Sequence, residues 1–218
     1  MGKAVVCPVE EGITVHNAEA NQYILDAVNE FPDRLVGFGS FNPWFGRKAL
    51  DMAWKFLSEG LRGLKFHPNL QGFMINDEII YPLMEIAEEH HVPVYTHCGT
   101  PIYSLPFQIL DLAGRFVDVP IVMGHMGYNY EYMSDTIMVS GMSDNLFLET
   151  SLTASALALF DDFLKMAVGL DSGKILFGSD SPESDMAIEL DKLKSIDISD
   201  EDMDKILGRN AKQLLGEG

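Results

Sequence analysis

Four residues of this chain could do chemistry together, because each closes a short apolar run. His67 ends Leu61–His67, His97 ends Val92–His97, His125 ends Val119–His125 and Asp180 ends Lys174–Asp180. Side chains alternate along an extended strand. Lys65 therefore shares a face with His67, Tyr95 with His97 and Gly178 with Asp180, while Leu64 and Phe66 take the other side. Imidazoles and a carboxylate converging beside an ammonium group form the donor set of a borderline divalent metal, zinc first and manganese second. Such a metal brings its bound water to a pKa of about 7 and makes hydroxide available at neutral pH. Taken singly, a strand-end histidine reads as a packed residue with its hydrogen bonds satisfied; the signal is the four together. His16, His90 and His91 lie off these strand ends and read as structural. Cys98 follows His97 but points to the opposite face, so it reads as packing rather than as a nucleophile.

The elements that must position these residues alternate regularly. Seven runs read as strands: Lys3–Pro8, Leu35–Phe41, Leu61–His67, Val92–His97, Val119–His125, Asn145–Thr150 and Lys174–Asp180. They are almost continuously apolar, as strands of a parallel sheet buried on both faces should be. Between them the spacing predicts helices over Ala18–Phe31, Arg47–Glu59, Asp77–His90 with Asn76 as N-cap, Leu105–Phe116, Met133–Ser140, Ala156–Leu170 and Met186–Ser195. A last helix, Asp200–Leu215, follows. Seven βα units admit an open doubly wound sheet or a (β/α)₈-type barrel lacking one unit, and both work at the C-terminal ends of their strands. A nucleotide-binding open sheet would need Gly-x-Gly-x-x-Gly after its first strand. Gly37-Phe-Gly39 lies inside a strand and lacks the third glycine.

Composition narrows the rest. The 218 residues are 47% apolar and 22% charged, with no linker or low-complexity tract, which suits one domain over residues 1–218. The net charge of −18 repels phosphate backbones, so nucleic acid is not an expected partner; a small molecule is. Much of the acidity falls between Asp180 and Asp204 and reads as a solvated helical face. No apolar run has the length of a membrane span, and the N-terminal residues lack a secretory pattern. With two cysteines, Cys7 and Cys98, and no disulfide framework, a cytoplasmic location is expected.

The segment Gly60-Leu-Arg-Gly-Leu-Lys-Phe-His-Pro-Asn-Leu-Gln-Gly-Phe73 resembles the fourth-strand motif of the amidohydrolase-related family, the branch containing aminocarboxymuconate-semialdehyde decarboxylase. Val94-Tyr-Thr-His-Cys-Gly99 is similar to its fifth-strand motif, Ile121-Val-Met-Gly-His-Met-Gly127 to its sixth and Ile175-Leu-Phe-Gly-Ser-Asp-Ser-Pro182 to its eighth. Arg34–Pro43 resembles the family's third strand and Ile206–Leu215 its closing helix, so the likeness spans essentially the whole chain.

The resemblance implies a metal-dependent TIM barrel in which His97 and Asp180 bind the metal, Asp180 handles the water proton and His125 works near the substrate. Lys65 and His67 would line the substrate, Lys65 holding a carboxylate by charge. The family's first strand carries a His-x-His pair, and no such pair occurs here. The resemblance therefore implies an incomplete barrel of seven parallel strands without the first βα unit, and self-association through its open edge. The expected activity is hydrolysis of a C–N or C–O bond in a small molecule, with Asp180 as general base and His125 stabilising the oxyanion. The alternatives are decarboxylation of an aromatic or unsaturated acid in the same site, or a truncated member without activity.

Overall fold

The computed structural model describes residues 2–153 and 159–217. Its strands are β1 (Ala4–Val6), β2 (Leu35–Gly37), β3 (Gly39–Ser40), β4 (Leu64–Phe66), β5 (Val94–His97), β6 (Ile121–Gly124), β7 (Leu146–Glu149) and β8 (Ile175–Leu176). Every strand pair is parallel, and the order follows the sequence. β2 and β3 belong to one extended run interrupted at Phe38. The Phe38 N–H donates to Val6 O at 2.8 Å, whereas the Gly39 N–H turns to Gly63 O at 2.9 Å, so the run passes its pairing from β1 to β4. Counted this way the seven expected strands are all present, each shorter than its apolar run. The architecture is an α/β barrel of the TIM type that does not close, since β1 pairs with β2 and β8 with β7 but not with each other.

Helices α1 (Asn17–Glu30), α2 (Arg47–Glu59), α3 (Tyr81–Glu89), α4 (Pro106–Arg115), α5 (Tyr130–Ser140), α6 (Phe160–Asp171) and α7 (Met186–Lys194) intervene between the strands or follow β8. Of the helix expected over Ala156–Leu170, residues 156–158 lie outside the described residues. The expected cap of the third helix is corrected. A 3₁₀ turn over Glu78–Ile80 precedes α3, and Asp77, not Asn76, caps that turn by accepting the Ile79 N–H at 3.1 Å, while Asn76 donates to the Asp111 carboxylate. The final helix is also not continuous: α8 (Asp200–Asp204) and α9 (Asn210–Leu214) are separated by a π-turn over Lys205–Arg209 that bends at Gly208.

This C-terminal segment lies against both ends of the sheet. The Phe177 N–H donates to Ile206 O, the Asn210 amide donates to Ser172 O and Ile175 O at 2.8 Å each, and Glu217 pairs with Lys3 just before β1 at 2.8 Å. Part of what an eighth strand would cover is thus covered by helix.

Alternation sorts the strand residues cleanly. Leu64, Phe66, Val94, Ile121, Met123, Leu146, Leu148 and Ile175 face outward and join one apolar core with Ala53, Phe56, Leu83, Met84, Ile109, Leu112, Ile137 and Leu164 from the helices. The other parity carries Ser40, Lys65, Tyr95, Val122 and Phe147, which pair in register across β3 to β7. The outer face holds the molecule together, and the inner face holds the polar groups.

At the opposite end from the site, Asn145 stabilises the entry to β7. Its buried amide lies 2.9 Å from both Phe116 O and Val119 O and 3.3 Å from Ala113 O, tying the end of α4 to the start of β6 and β7. Asn145→Ala leaves those carbonyls without their donor and should cost about 1–3 kcal/mol. Urea unfolding of the variant against wild type measures it, and a change within about 0.5 kcal/mol, the range of a neutral surface substitution, would show that the amide is dispensable.

Candidate active site

Three of the four sequence-derived residues, His67, His97 and His125, pack as one cluster of rings. His67 follows β4 directly, His97 is the last residue of β5 and His125 follows β6. The His67 and His97 rings stack with centroids 4.2 Å apart and planes 8° from parallel. The His125 ring lies 5.0 Å from His97, and Tyr128, unremarked in the sequence, packs against both at 5.7 and 5.9 Å. His97 and His125 are 7% and 4% exposed, whereas His67 is partly exposed and Tyr128 exposed, so the cluster is buried at one end and open at the other. The Nε2 of His97 meets the Thr100 hydroxyl at 2.9 Å, while its Nδ1 and the Nδ1 of His67 are buried without a partner.

Lys65 stands beside them on the inner face. It is 7% exposed, its Nζ sits 4.0 Å from the centre of the Tyr95 ring, and among the described residues it has no ion pair. Burial pulls its amine below the ordinary lysine range, against the opposing pull of Cys7, Asp180 and Glu149. Burial also pushes the Cys7 thiol up, with Lys65 opposing.

The sequence reading missed Glu149, the last residue of β7. Its carboxylate accepts four hydrogen bonds: from the Tyr95 hydroxyl at 2.8 Å, the Ser151 hydroxyl at 2.8 Å, the Ser151 N–H at 2.8 Å and the His125 N–H at 3.3 Å. Ser151 in turn lies against the Nδ1 of His125, its carbonyl oxygen at 3.1 Å and its hydroxyl at 3.0 Å. Two glycines make room for this. A Cβ at Gly178 would fall 1.5 Å from a Glu149 oxygen, and one at Gly124 would fall 2.3 Å from the Tyr95 hydroxyl. The signal available in the sequence was an acidic residue ending an otherwise apolar strand, with glycines on the neighbouring strands' motifs.

Asp180 departs from expectation. The last strand ends at Leu176, so Asp180 does not close it; it lies in the following turn, exposed, with φ of 55°. Its charge acts on Cys7, Lys65 and Tyr95, whereas His67 and His97 feel Lys65. Cys98 is as expected: it is fully buried against Thr136, and burial pushes its thiol up to about 12, which leaves no thiolate for nucleophilic attack.

The imidazoles are suitable metal donors, since burial keeps both His67 and His97 neutral, with pKa values pulled down to about 4 and about 2. The number of donors is not sufficient. Among the described residues no group of three or more His, Cys, Asp or Glu side chains is disposed to hold a metal ion. The residues present therefore do not make a complete metal site. No helix among the described residues is long and apolar enough to cross a membrane.

Comparison with known proteins agrees with this fold. The family model described as amidohydrolase matches residues 9–216. No curated protein matches at the sequence level. Solved structures do. An uncharacterised TIM-barrel protein from Bordetella bronchiseptica aligns with a TM-score of 0.83 at 21% identity, covering 99% of this chain and 78% of that one. The 5-carboxyvanillate decarboxylase of Sphingomonas paucimobilis aligns with a TM-score of 0.76 at 18% identity, over 99% and 79%. A dihydroxybenzoic acid decarboxylase from Polaromonas, solved with manganese and 2-nitroresorcinol, aligns with a TM-score of 0.70 at 20% identity, over 92% and 74%.

The depressed His67 value has a consequence for stability. The unfolded chain takes up its proton near pH 6.5, the folded chain only near pH 4. Between those values the unfolded state binds more protons, so stability falls as pH drops through this window. In metal-free protein His67→Gln should remove part of that fall, on the order of 1 kcal/mol given the partial exposure of the ring. Urea unfolding at pH 7.5 and pH 5 checks it, and parallel losses in wild type and variant would sink the assignment.

Proposed function

We propose, for a chain that belongs to the amidohydrolase family, the non-oxidative decarboxylation of a small planar carboxylic acid, aromatic or unsaturated. The observation that carries the reading is Lys65: a buried cation site on the inner face, with no ion pair among the described residues and three aromatic imidazoles beside it. A buried charge is stable when paired. An entering carboxylate supplies the countercharge, and the flat stack of His67 and His97 offers a surface for the remainder of a planar substrate. Decarboxylation then breaks one C–C bond, releases CO₂ and adds one proton to the carbon left behind, and it requires no oxidant. We assign that proton to His125, whose ring lies 5.0 Å from His97.

Hydrolysis with Asp180 as general base is the less supported reading. An amide or ester is neutral and would leave the buried Lys65 without a countercharge. Two of the structures with this fold are decarboxylases, which supports the same choice.

Thermal shift and calorimetric titration with hydroxybenzoates and unsaturated acids, followed by measurement of CO₂ release, test the proposal. Binding should weaken at least about tenfold in Lys65→Met, the loss expected when a charge-assisted contact of about 1.5–3 kcal/mol is removed. Equal binding in Lys65→Met, or turnover of amides or esters without any CO₂ from acids, would overturn it.

The cofactor we assign is one divalent ion, zinc or manganese, held by His97 and Asp180. Two protein donors are fewer than the three usual in a catalytic zinc site, so the chain as described should bind metal weakly. Elemental analysis after dialysis should find sub-stoichiometric zinc or manganese in wild type and essentially none in His97→Ala and Asp180→Ala. Equal occupancy in all three would refute these ligands.

A further inference from the structure

We infer that Glu149 and Ser151 are positioning residues that hold His125 in a single tautomer, protonated at Nδ1, leaving Nε2 as its free acceptor. The inference follows from the direction in which each hydrogen bond can run. The Ser151 carbonyl oxygen, 3.1 Å from Nδ1, can only accept, so the proton of that bond belongs to the imidazole. The hydroxyl gives the same answer independently. Glu149 accepts on both oxygens, and the Ser151 Oγ at 2.8 Å spends its hydrogen on Oε2. What Oγ turns toward Nδ1 at 3.0 Å is therefore a lone pair, which again calls for a proton on Nδ1.

The carboxylate sets the polarity of the whole chain. Tyr95, Ser151 and the main chain of Ser151 and His125 all point hydrogens at Glu149. Its bond to the Ser151 N–H also fixes the turn that carries the Ser151 carbonyl, so one side chain places both acceptors of the Nδ1 proton. The residues are nearly dry, Glu149 at 6% and His125 at 4% exposed, so water does not compete for these bonds. Nε2 has no hydrogen bond among the described residues. It is the nitrogen left to take up or deliver a proton, and this part rests on the function proposed for His125.

The experiment reads the tautomer itself and so does not depend on the substrate. Long-range ¹H–¹⁵N spectra of protein labelled at histidine, with His125 assigned by loss of its signals in His125→Gln, distinguish the two neutral forms. Wild type should favour Nδ1–H by at least about tenfold, the ratio an ordinary net hydrogen bond of about 1.4 kcal/mol supplies. Glu149→Gln leaves one acceptor oxygen where four donors converge, and the ratio should fall several-fold. Ser151→Ala keeps the carbonyl and deletes only the hydroxyl; it should shift the Nδ1 resonance and lower the ratio, and it serves if Glu149→Gln does not fold. An Nε2–H tautomer in wild type, or a ratio unmoved in both Glu149→Gln and Ser151→Ala, would overturn the inference. Loss of decarboxylation with an Nδ1–H tautomer intact would instead count against the proposed function alone.

Discussion

The inner face of a parallel sheet covered by helices is dry on both sides, and a polar group placed there has to find its partners within the protein. In this molecule that constraint is met by one carboxylate. Glu149 satisfies the Tyr95 hydroxyl, both hydrogen-bonding groups of Ser151 that face it and the His125 N–H. The glycines of two neighbouring strand ends are consequences of it, because the space a Cβ would occupy at Gly178 or Gly124 is taken by Glu149 or by the Tyr95 hydroxyl that reaches it. Replacing either glycine would drive a Cβ into the Glu149 carboxylate or the Tyr95 hydroxyl, which are held to each other by a hydrogen bond.

Against this saturated anion stands an unsaturated cation. Lys65 has its terminal nitrogen held over the Tyr95 ring, with attraction from Asp180, Cys7 and Glu149 but no ion pair among the described residues. Burial keeps His67 and His97 neutral, with Lys65 acting the same way. The local field therefore favours a small anion at Lys65 over a neutral amide or ester, because only the anion relieves the cost of a desolvated ammonium group. This asymmetry is the physical reason for preferring a carboxylic acid over the hydrolytic substrates that the motifs suggest on their own.

Side-chain parity made much of the site legible from sequence. Knowing that Lys65 and His67 share a face, and Tyr95 and His97 another, is enough to bring them inward once seven apolar runs are recognised as parallel strands. The length of those strands was not legible, and the strand before Asp180 is the example. Its run looks extended to Asp180, but pairing stops at Leu176, where Phe177 turns its N–H to Ile206 instead of to a neighbouring strand. Glu149 was passed over because a single acidic residue after Leu-Phe-Leu carries no periodic signal. Its role depends on partners 54 residues away at Tyr95 and 24 away at His125. The C-terminal helices crossing the open side were equally hidden, since side-chain pairs such as Lys3 with Glu217 join opposite ends of the chain.

The backbone at His125 shows how firmly the site is built. His125, Met126, Gly127 and Tyr128 have φ values of 59°, 46°, 95° and 55°, four successive residues in the left-handed region of which one is glycine. A non-glycine residue there costs about 1 kcal/mol or more, so three within four residues persist only where the surroundings over-determine them. The restraints are visible. The His125 N–H is bound to Glu149, its ring to Ser151, its carbonyl accepts from the Tyr128 N–H at 2.7 Å, and Met126 is fully buried. Gly127 could not be otherwise, because a Cβ there would fall 2.4 Å from the Thr136 hydroxyl, and its own carbonyl lies where a Cβ on Gly99 would be. The strained turn and the Glu149 network support each other: the turn aims the His125 N–H and ring at the network, and the network's hydrogen bonds offset the strain of the turn. An imidazole held by both has little freedom to rotate, which suits the proton delivery proposed for His125.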